Sequence, residues 1–221
     1  RQERLAALGQ LSGNVAHELR NPLGVISNAI YYLNLTYAQA DPHLQEYLAI
    51  IENETRIAEK IVTDLLDHSR LKTPERKAIK VFELLERTLK RFPPATNIVI
   101  AIDIRDETLE IWVDPNQMMQ VFGNLLTNAY QEMPDGGSLV IAAHQENEFV
   151  AVSVTDSGNG ITPENMPHLF DPLFTTKIRG IGLGLPVSQK LTEANDGRIT
   201  VHSEAGNGAT FTVYLLRYVV E

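Results

Sequence analysis

A chain of 221 residues has room for one or two domains, and 43% hydrophobic with 21% charged residues is ordinary for a globular protein. A net charge of −9 without any basic stripe argues against a nucleic-acid partner, and the absence of cysteine excludes disulfides, zinc ribbons and thiol catalysis. No apolar run is long enough to span a bilayer and no signal peptide is visible; the chain starts at Arg1, without a methionine, in what reads as a helix, so it is taken as a fragment whose upstream part is missing.

The first predicted helix covers residues 1–37. Leu8, Leu11, Val15, Leu19, Leu23, Ile26, Ile30 and Leu33 recur at steps of three and four and mark one apolar seam. At ~100° per residue, His17 lies roughly 200° from both Val15 and Leu19, off that seam and next to the carboxylate of Glu18. Pro22 has no N–H for the carbonyl of Glu18, so the helix is expected to loosen beside the histidine. An exposed imidazole, an adjacent carboxylate and a local helix defect suit a nucleophile with its own base; a solvated surface histidine on a coiled coil is the competing reading. After a turn at 38–42 a second helix runs to 71, with Leu44, Leu48, Ile51, Thr55, Ala58, Ile61 or Val62, and Leu65 as its seam. Such a hairpin cannot bury its stripe alone; two copies paired as a four-helix bundle can, so a homodimer is expected.

Residues 72–77 are charged, contain Pro74 and lack an apolar period, which marks the domain boundary, with domains expected at 1–73 and 74–221. Beyond it the pattern turns to mixed α and β. Helices are expected at 81–91, from the Asp114-Pro115 cap to about 133, and at 185–194; strands are expected at 98–104, 109–113, 139–143, 150–155, 198–203 and 210–215. This order predicts a two-layer α/β sandwich. Trp112 is expected in the core, and His43, His68, His144, His168 and His202, having no ligand spacing, are read as structural or solvated.

Three clusters in the second domain carry chemistry. Asn124 and Asn128 share one helical face and can supply carbonyl oxygens to a hard cation, although two surface asparagines would look the same. Asp156-Ser157-Gly158-Asn159-Gly160 follows a strand: its carboxylate can accept from an exocyclic amine, and its glycines admit a flat base. Gly180-Ile181-Gly182-Leu183-Gly184-Leu185 runs into a helix and is suited to phosphate, but lacks the lysine of a P-loop and comes too late for a dinucleotide fingerprint. Between the last two, Lys177 of Phe170-Asp-Pro-Leu-Phe-Thr-Thr-Lys177 is placed to meet a phosphate.

The order His17-Glu-Leu-Arg-Asn21-Pro22, then 124–128, 156–160, 170–177 and 180–184 resembles the H, N, G1, F and G2 boxes of the sensor histidine kinases of two-component signalling. The wording Asn124-Leu-Leu-Thr-Asn-Ala, Met133-Pro-Asp-Gly-Gly and Phe-Thr-Thr-Lys is similar to their nitrogen-regulator-like branch. The resemblance implies a dimerisation and histidine-phosphotransfer hairpin, forming a dimeric four-helix bundle, followed by a Bergerat-type (GHKL) ATP-binding domain. It implies ATP- and magnesium-dependent autophosphorylation on His17 and transfer to an aspartate of a response regulator receiver domain, with phosphatase action on the phospho-regulator as a further activity. Glu18 is then the base and Asn21 the residue that orients the hydrolytic water. Asn128, with Asn124 beside it, becomes the magnesium ligand. Asp156 reads the adenine amine, helped by a water near Thr210, and Gly158 and Gly160 shape its pocket. Gly180, Gly182, Gly184 and Leu185 wrap the triphosphate, and the nucleotide contacts take in Phe170, Thr175, Thr176 and Lys177. A missing N-terminal sensor region, the place for any membrane anchor, and a cytoplasmic location for this fragment are part of the same expectation.

The chain departs from the family pattern at three residues, and its lid from Asn159 to Arg179 is short. Gln131 stands where many relatives have a basic residue, Glu132 where alanine is usual, and Ile181 where threonine is frequent. The rival readings are a degenerate kinase acting only as phosphatase or nucleotide sensor, a clamp ATPase of the same nucleotide fold, and an inert coiled-coil dimer. Intact His17, Asn128 and Asp156 count against the first, the histidine hairpin against the second, and nucleotide binding would remove the third.

Overall fold

The computed structural model describes residues 19, 21–36, 42–69, 73–177 and 182–219, in two units, Arg1–Leu71 and Lys72–Glu221. His17, Glu18, Gly180 and Ile181 lie outside the described residues, as does most of the turn expected at 38–42.

The first unit is a helical hairpin, α1 (21–36) and α2 (Pro42–Ser69). Pro22 lies in α1; the Glu18 carbonyl that it would leave without a donor is outside the described residues. Along the expected seam Ile30, Leu48 and Thr55 are buried, whereas Leu19, Ile26, Leu33 and Ile51 stay 37–46% exposed. Thr55 satisfies its buried hydroxyl by donating to the carbonyl of Ile51, 2.7 Å away.

The second unit is a two-layer sandwich. Its elements are β1 (Lys77–Lys80), α3 (Val81–Arg91), β2 (Ile98–Ile104), β3 (Glu110–Val113), α4 (Pro115–Glu132), β4 (Gly137–Glu146), β5 (Phe149–Asp156), α5 (Gly184–Ala194), β6 (Arg198–Ser203) and β7 (Ala209–Leu216). A five-stranded sheet has the order β2-β4-β5-β7-β6; β1 and β3 form a separate antiparallel pair. Among the described strands only β2 and β4 run parallel, from Ile98 opposite Gly137 to Ile104 opposite Ala143, and α4 lies within their connection. Alternation along β5 sends Val150, Val152 and Val154 into a core shared with Phe122, Leu125 and Leu126 of α4 and Leu84 and Leu85 of α3. α3 shows how its sequence makes this face. Val81, Leu84, Leu85 and Thr88 are buried at steps of three, four and seven, while Glu83 pairs with Arg87 and Glu86 with Lys90 on the wet side.

α4 begins as its cap predicts: Oδ1 of Asp114 accepts from the N–H groups of Asn116 (2.9 Å) and Gln117 (3.3 Å), with Pro115 at the first helical position. The other carboxylate oxygen accepts from the N–H of Glu75 at 3.0 Å. Arg76 pairs with Asp196 and donates to the carbonyl of Ala194 at 2.7 Å, and Lys77 opens β1. The stretch read as a boundary up to 77 is therefore stitched into the second unit from Glu75 onward. Four residues of β1, two of them lysine, were too short and too polar to give a strand signal, and they exist as a strand because β3 pairs with them.

Trp112 is a second correction. Ile111 and Val113 are fully buried, so alternation turns Trp112 to the opposite side of β3, where it is 39% exposed and stacks on Tyr218 with ring centroids 5.3 Å apart. The segment after β5 contains a 3-10 turn at Met166–His168, and α5 starts at Gly184, one residue before the expected 185.

Candidate functional site

Asp156 closes β5 and is 5% exposed. Its Oδ1 accepts from the N–H of Gly158 at 2.9 Å and of Ala209 at 3.3 Å. Burial pushes its carboxyl above the ordinary carboxylate value; the two N–H donors pull the other way, nearby Glu132 adds to the rise and Lys177 offsets it. The second donor was invisible in the sequence, because only the antiparallel register that sets Asp156 opposite Ala209 brings residues 53 apart together. The same register places Thr210 opposite Thr155, their hydroxyls 3.0 Å apart, one residue from the carboxylate.

Glycine is required around this carboxylate. Gly208, at φ +75°, would drive a Cβ into the carbonyl of Asp156, and Gly160, at φ +66°, into that of Glu204. The segment 206–208, which joins β6 to β7, thus packs against this carboxylate's surroundings. The N–H of Gly206 donates to the carbonyl of Asn159 (2.7 Å), and the Ser203 hydroxyl donates to the carbonyl of Gly208 (2.6 Å) while accepting from the N–H of Ile161 (2.9 Å). Glu132 lies directly under Gly158, which has no room for a side chain there.

The asparagines of α4 behave differently from one another. Asn124 donates through Nδ2 to the carbonyl of Gly184 (3.1 Å) and the hydroxyl of Ser188 (3.2 Å), tying α4 to the first turn of α5. The Oδ1 of Asn128 instead accepts from the ammonium of Lys177 at 3.4 Å. That ammonium also donates to Gln131 Oε1 at 2.8 Å and pairs with Glu132 Oε1 at 3.1 Å, so three protons meet three oxygens within one turn of α4. Gln131 and Glu132, two of the three departures, are the residues that hold Lys177.

α5 starts without a side-chain cap, and Pro186 has no N–H, so no capping side chain takes the N–H groups of Gly184 and Leu185, an arrangement suited to phosphate. Gly182, at φ +69°, passes against the backbone of Phe174, and its carbonyl accepts from the N–H of Leu173 at 3.0 Å. Thr175 accepts from the N–H of Lys177 at 3.1 Å, Thr176 is exposed, and Phe170 is half-buried. The Phe174 ring lies 5.5 Å from that of His168, which is bonded to Asp171 at 2.9 Å. Leu185 packs against the core, and Asn21 is exposed on the helical hairpin.

A hard cation fits the oxygens here. Asn128 Oδ1, Gln131 Oε1 and Glu132 Oε1 already hold a positive charge in the form of the Lys177 ammonium, and neutral and anionic oxygens are the donors that magnesium takes.

Comparison with known proteins places both units. Residues 7–74 match the His Kinase A (phospho-acceptor) domain, and residues 113–218 match the "Histidine kinase-, DNA gyrase B-, and HSP90-like ATPase" family. The chain is 34% identical over 97% of its length to the sensor histidine kinase ZraS of Escherichia coli, covering 47% of that protein. It is 37% identical over 96% of its length to the signal transduction histidine-protein kinase AtoS of the same organism, covering 35% of it. For sporulation kinase E of Bacillus subtilis the figures are 32%, 97% and 29%, so the chain spans less than half the length of these curated relatives. Among solved structures, the histidine kinase ThkA in complex with the response regulator protein TrrA matches with a TM-score of 0.69 and 29% identity, over 99% of this chain and 64% of that one. Full-length ShkA in complex with AMPPNP shares the fold, with a TM-score of 0.81 at 21% identity over 96% of this chain and 46% of that one.

Proposed function

The chain belongs to the sensor histidine kinases, and from that premise we propose that it is the kinase core of a longer sensor protein, which phosphorylates itself on His17 and passes the phosphoryl group to an aspartate of a receiver domain. The observation that carries this reading is the shared face of α4. One end of it is tied to the uncapped helix α5 through Asn124, the middle holds a cation at Asn128, and the other end lies under Gly158 beside the buried Asp156.

In this reading Asp156 accepts from the exocyclic amine of adenine, and Thr210 helps through a shared water. Gly158, Gly160 and Gly208 bring backbone close enough for the base to lie flat. The N-terminus of α5, with Gly182 and Gly184, receives the phosphates. Asn128 would hold magnesium, which would supply positive charge against the phosphates. The imidazole of His17 attacks the γ-phosphorus as its bond to the bridging oxygen breaks, ADP leaves with that oxygen, and Glu18 takes the ring proton. Asn21, exposed on α1, is suited to orient water against a phosphorylated receiver. Leu19, Ile26, Leu33 and Ile51 form the exposed remainder of the hairpin seam, which supports burial against a second copy in a four-helix bundle. The complex of the histidine kinase ThkA with the response regulator protein TrrA supports a receiver as the phosphoryl acceptor.

The test is incubation with γ-labelled ATP and magnesium, for this chain and for His17→Ala. Label that is acid-labile, base-stable and absent from the variant establishes the reading. Label that persists in the variant moves the acceptor elsewhere, and ATP binding without any label leaves only a phosphatase or a nucleotide sensor.

A further inference from the structure

α5 ends on a residue that its local geometry does not favour. The N–H of Asp196 turns back onto the carbonyl of Glu193 at 3.0 Å, and that of Gly197 onto the carbonyl of Thr192 at 2.9 Å, a closing turn that holds Asp196 at φ +57°. Glycine is favoured at such a position, because a Cβ is crowded in the left-handed region. An aspartate there also sets a negative charge beside carbonyls that already carry the negative end of the helix dipole. Both local costs are offset from one place. Arg76, the residue before β1, pairs with the Asp196 carboxylate and donates to the carbonyl of Ala194 at 2.7 Å, so one guanidinium serves the carboxylate and the helix end together. Its neighbour Glu75 donates its N–H to Asp114, the cap of α4, at 3.0 Å. Two consecutive residues therefore hold the C-terminal end of α5 and the N-terminal end of α4.

The opposite end of α5, about 15 Å along its axis, is the uncapped first turn that the nucleotide reading assigns to phosphate, tied to α4 by Asn124 at the carbonyl of Gly184. Between the two ends Pro186, Val187 and Leu191 are the buried apolar anchors, while Ser188 and Thr192 fill the rest of the buried face with hydroxyls that donate back into the helix. Asn124 and Asn195 both tie α5 to α4, at Gly184 and at Asp114, which leaves α5 a roll about the line joining them. Arg76 is the third tie and comes from outside α4. Resting on the nucleotide reading above, we infer that Arg76 is a positioning residue for the phosphate end of the site: through Asp196 it fixes the roll of α5 and so the direction in which the N–H groups of its first turn point. By linkage, bound nucleotide makes the Arg76–Asp196 pair harder to open, which ties the segment entering the second unit to nucleotide occupancy.

The experiment measures the dissociation constant for ATP with magnesium by calorimetry, the melting temperature and amide hydrogen exchange, on the full chain and on Asp196→Gly, Arg76→Ala and the double variant. Asp196→Gly removes the carboxylate and supplies the residue that the closing turn favours. It is expected to melt no lower than the unmodified chain and yet to bind ATP about threefold more weakly, the size of a partly exposed ion pair. Arg76→Ala is expected to weaken binding by at least that factor, since the carbonyl of Ala194 also loses its donor. The double variant is expected to bind no more weakly than Arg76→Ala, because the two residues act through one contact. Faster exchange is expected within 184–194 and not in β5. A role in stability alone would lower the melting temperature, quicken exchange throughout the sandwich and leave the dissociation constants where they are. ATP binding as tight in Asp196→Gly as in the unmodified chain, exchange quickened throughout the sandwich, or a double variant weakened by the product of the two single effects overturns the inference. Failure of the unmodified chain to bind ATP overturns the nucleotide reading instead, so the two failures are distinct.

Discussion

The two units solve the same problem of burying apolar surface in opposite ways. In the sandwich, Phe122, Leu125 and Leu126 of α4 meet Val150, Val152 and Val154 of β5 in a core closed within one chain. In the hairpin, burial reaches Ile30, Leu48 and Thr55 but leaves Leu19, Ile26, Leu33 and Ile51 of the same seam exposed. A core of the first kind lets a nucleotide site be preorganised on rigid elements, while a seam of the second kind leaves free energy to be released on association.

The comparison is most directly broken by separating the two chemistries. Asp156→Asn is expected to abolish ATP binding while the chain stays folded, because the amide oxygen can still accept from Gly158 and Ala209 but the group facing the base becomes a donor. His17→Gln is expected to lose all phosphorylation and keep ATP binding; calorimetry and labelling on the two variants decide, and loss of binding in His17→Gln would end the division of labour. The pH behaviour follows from the same carboxyl. Its folded value is raised above the ordinary 3.8, so its stability contribution is full below that value and is lost as pH rises through the folded value. Asp156→Asn removes that loss, and its melting temperature at pH 7 is expected to equal or exceed that of the unmodified chain. Nucleotide affinity, which needs the ionised acceptor, falls as pH drops through the same raised value.

Next in size is a pair of apolar substitutions. Phe122→Ala should cost about 3–5 kcal/mol in denaturant unfolding of the sandwich, whatever the protein concentration. Ile26→Asp should instead dissociate the dimer in sedimentation and leave ATP affinity unchanged; a monomer in the unmodified chain would remove the argument from the exposed seam. The smallest effect tests how the second unit is stitched. Asn195 is fully buried, accepts from the N–H of Asp114 at 2.8 Å and donates to Gln117 and to the carbonyl of Leu191, each at 2.8 Å. Asn195→Ala should cost about 1–3 kcal/mol by leaving those groups unpaired, with the hairpin unaffected.

Much of the framework of the candidate site was legible because each of its motifs is local. The Asp114-Pro115 cap, the 124 and 128 spacing on one helix face, and Gly184 at the start of α5 are each set by neighbours within a turn or two. β1 was not legible, since four residues carry too little pattern, and neither was the direction of Trp112, which depended on which side of β3 faces the core. Gly208 and Ala209 went unrecognised as neighbours of Asp156, because nothing in a hairpin turn announces that it lies under a carboxylate more than fifty residues away in the chain.

Sequence by itself determined the helices, every strand but β1, and the candidate site residues, because helical and strand periodicity, caps and glycine positions act over short stretches of chain. Tertiary structure alone decided the partners: that Ala209 shares Asp156 with Gly158, that Asn124 and Asn128 part company, and that Glu132 pairs with Lys177. Those pairings follow from strand register and helix packing, which bring together groups with no relation along the chain, and charge and hydrogen-bond satisfaction then decide which of them hold.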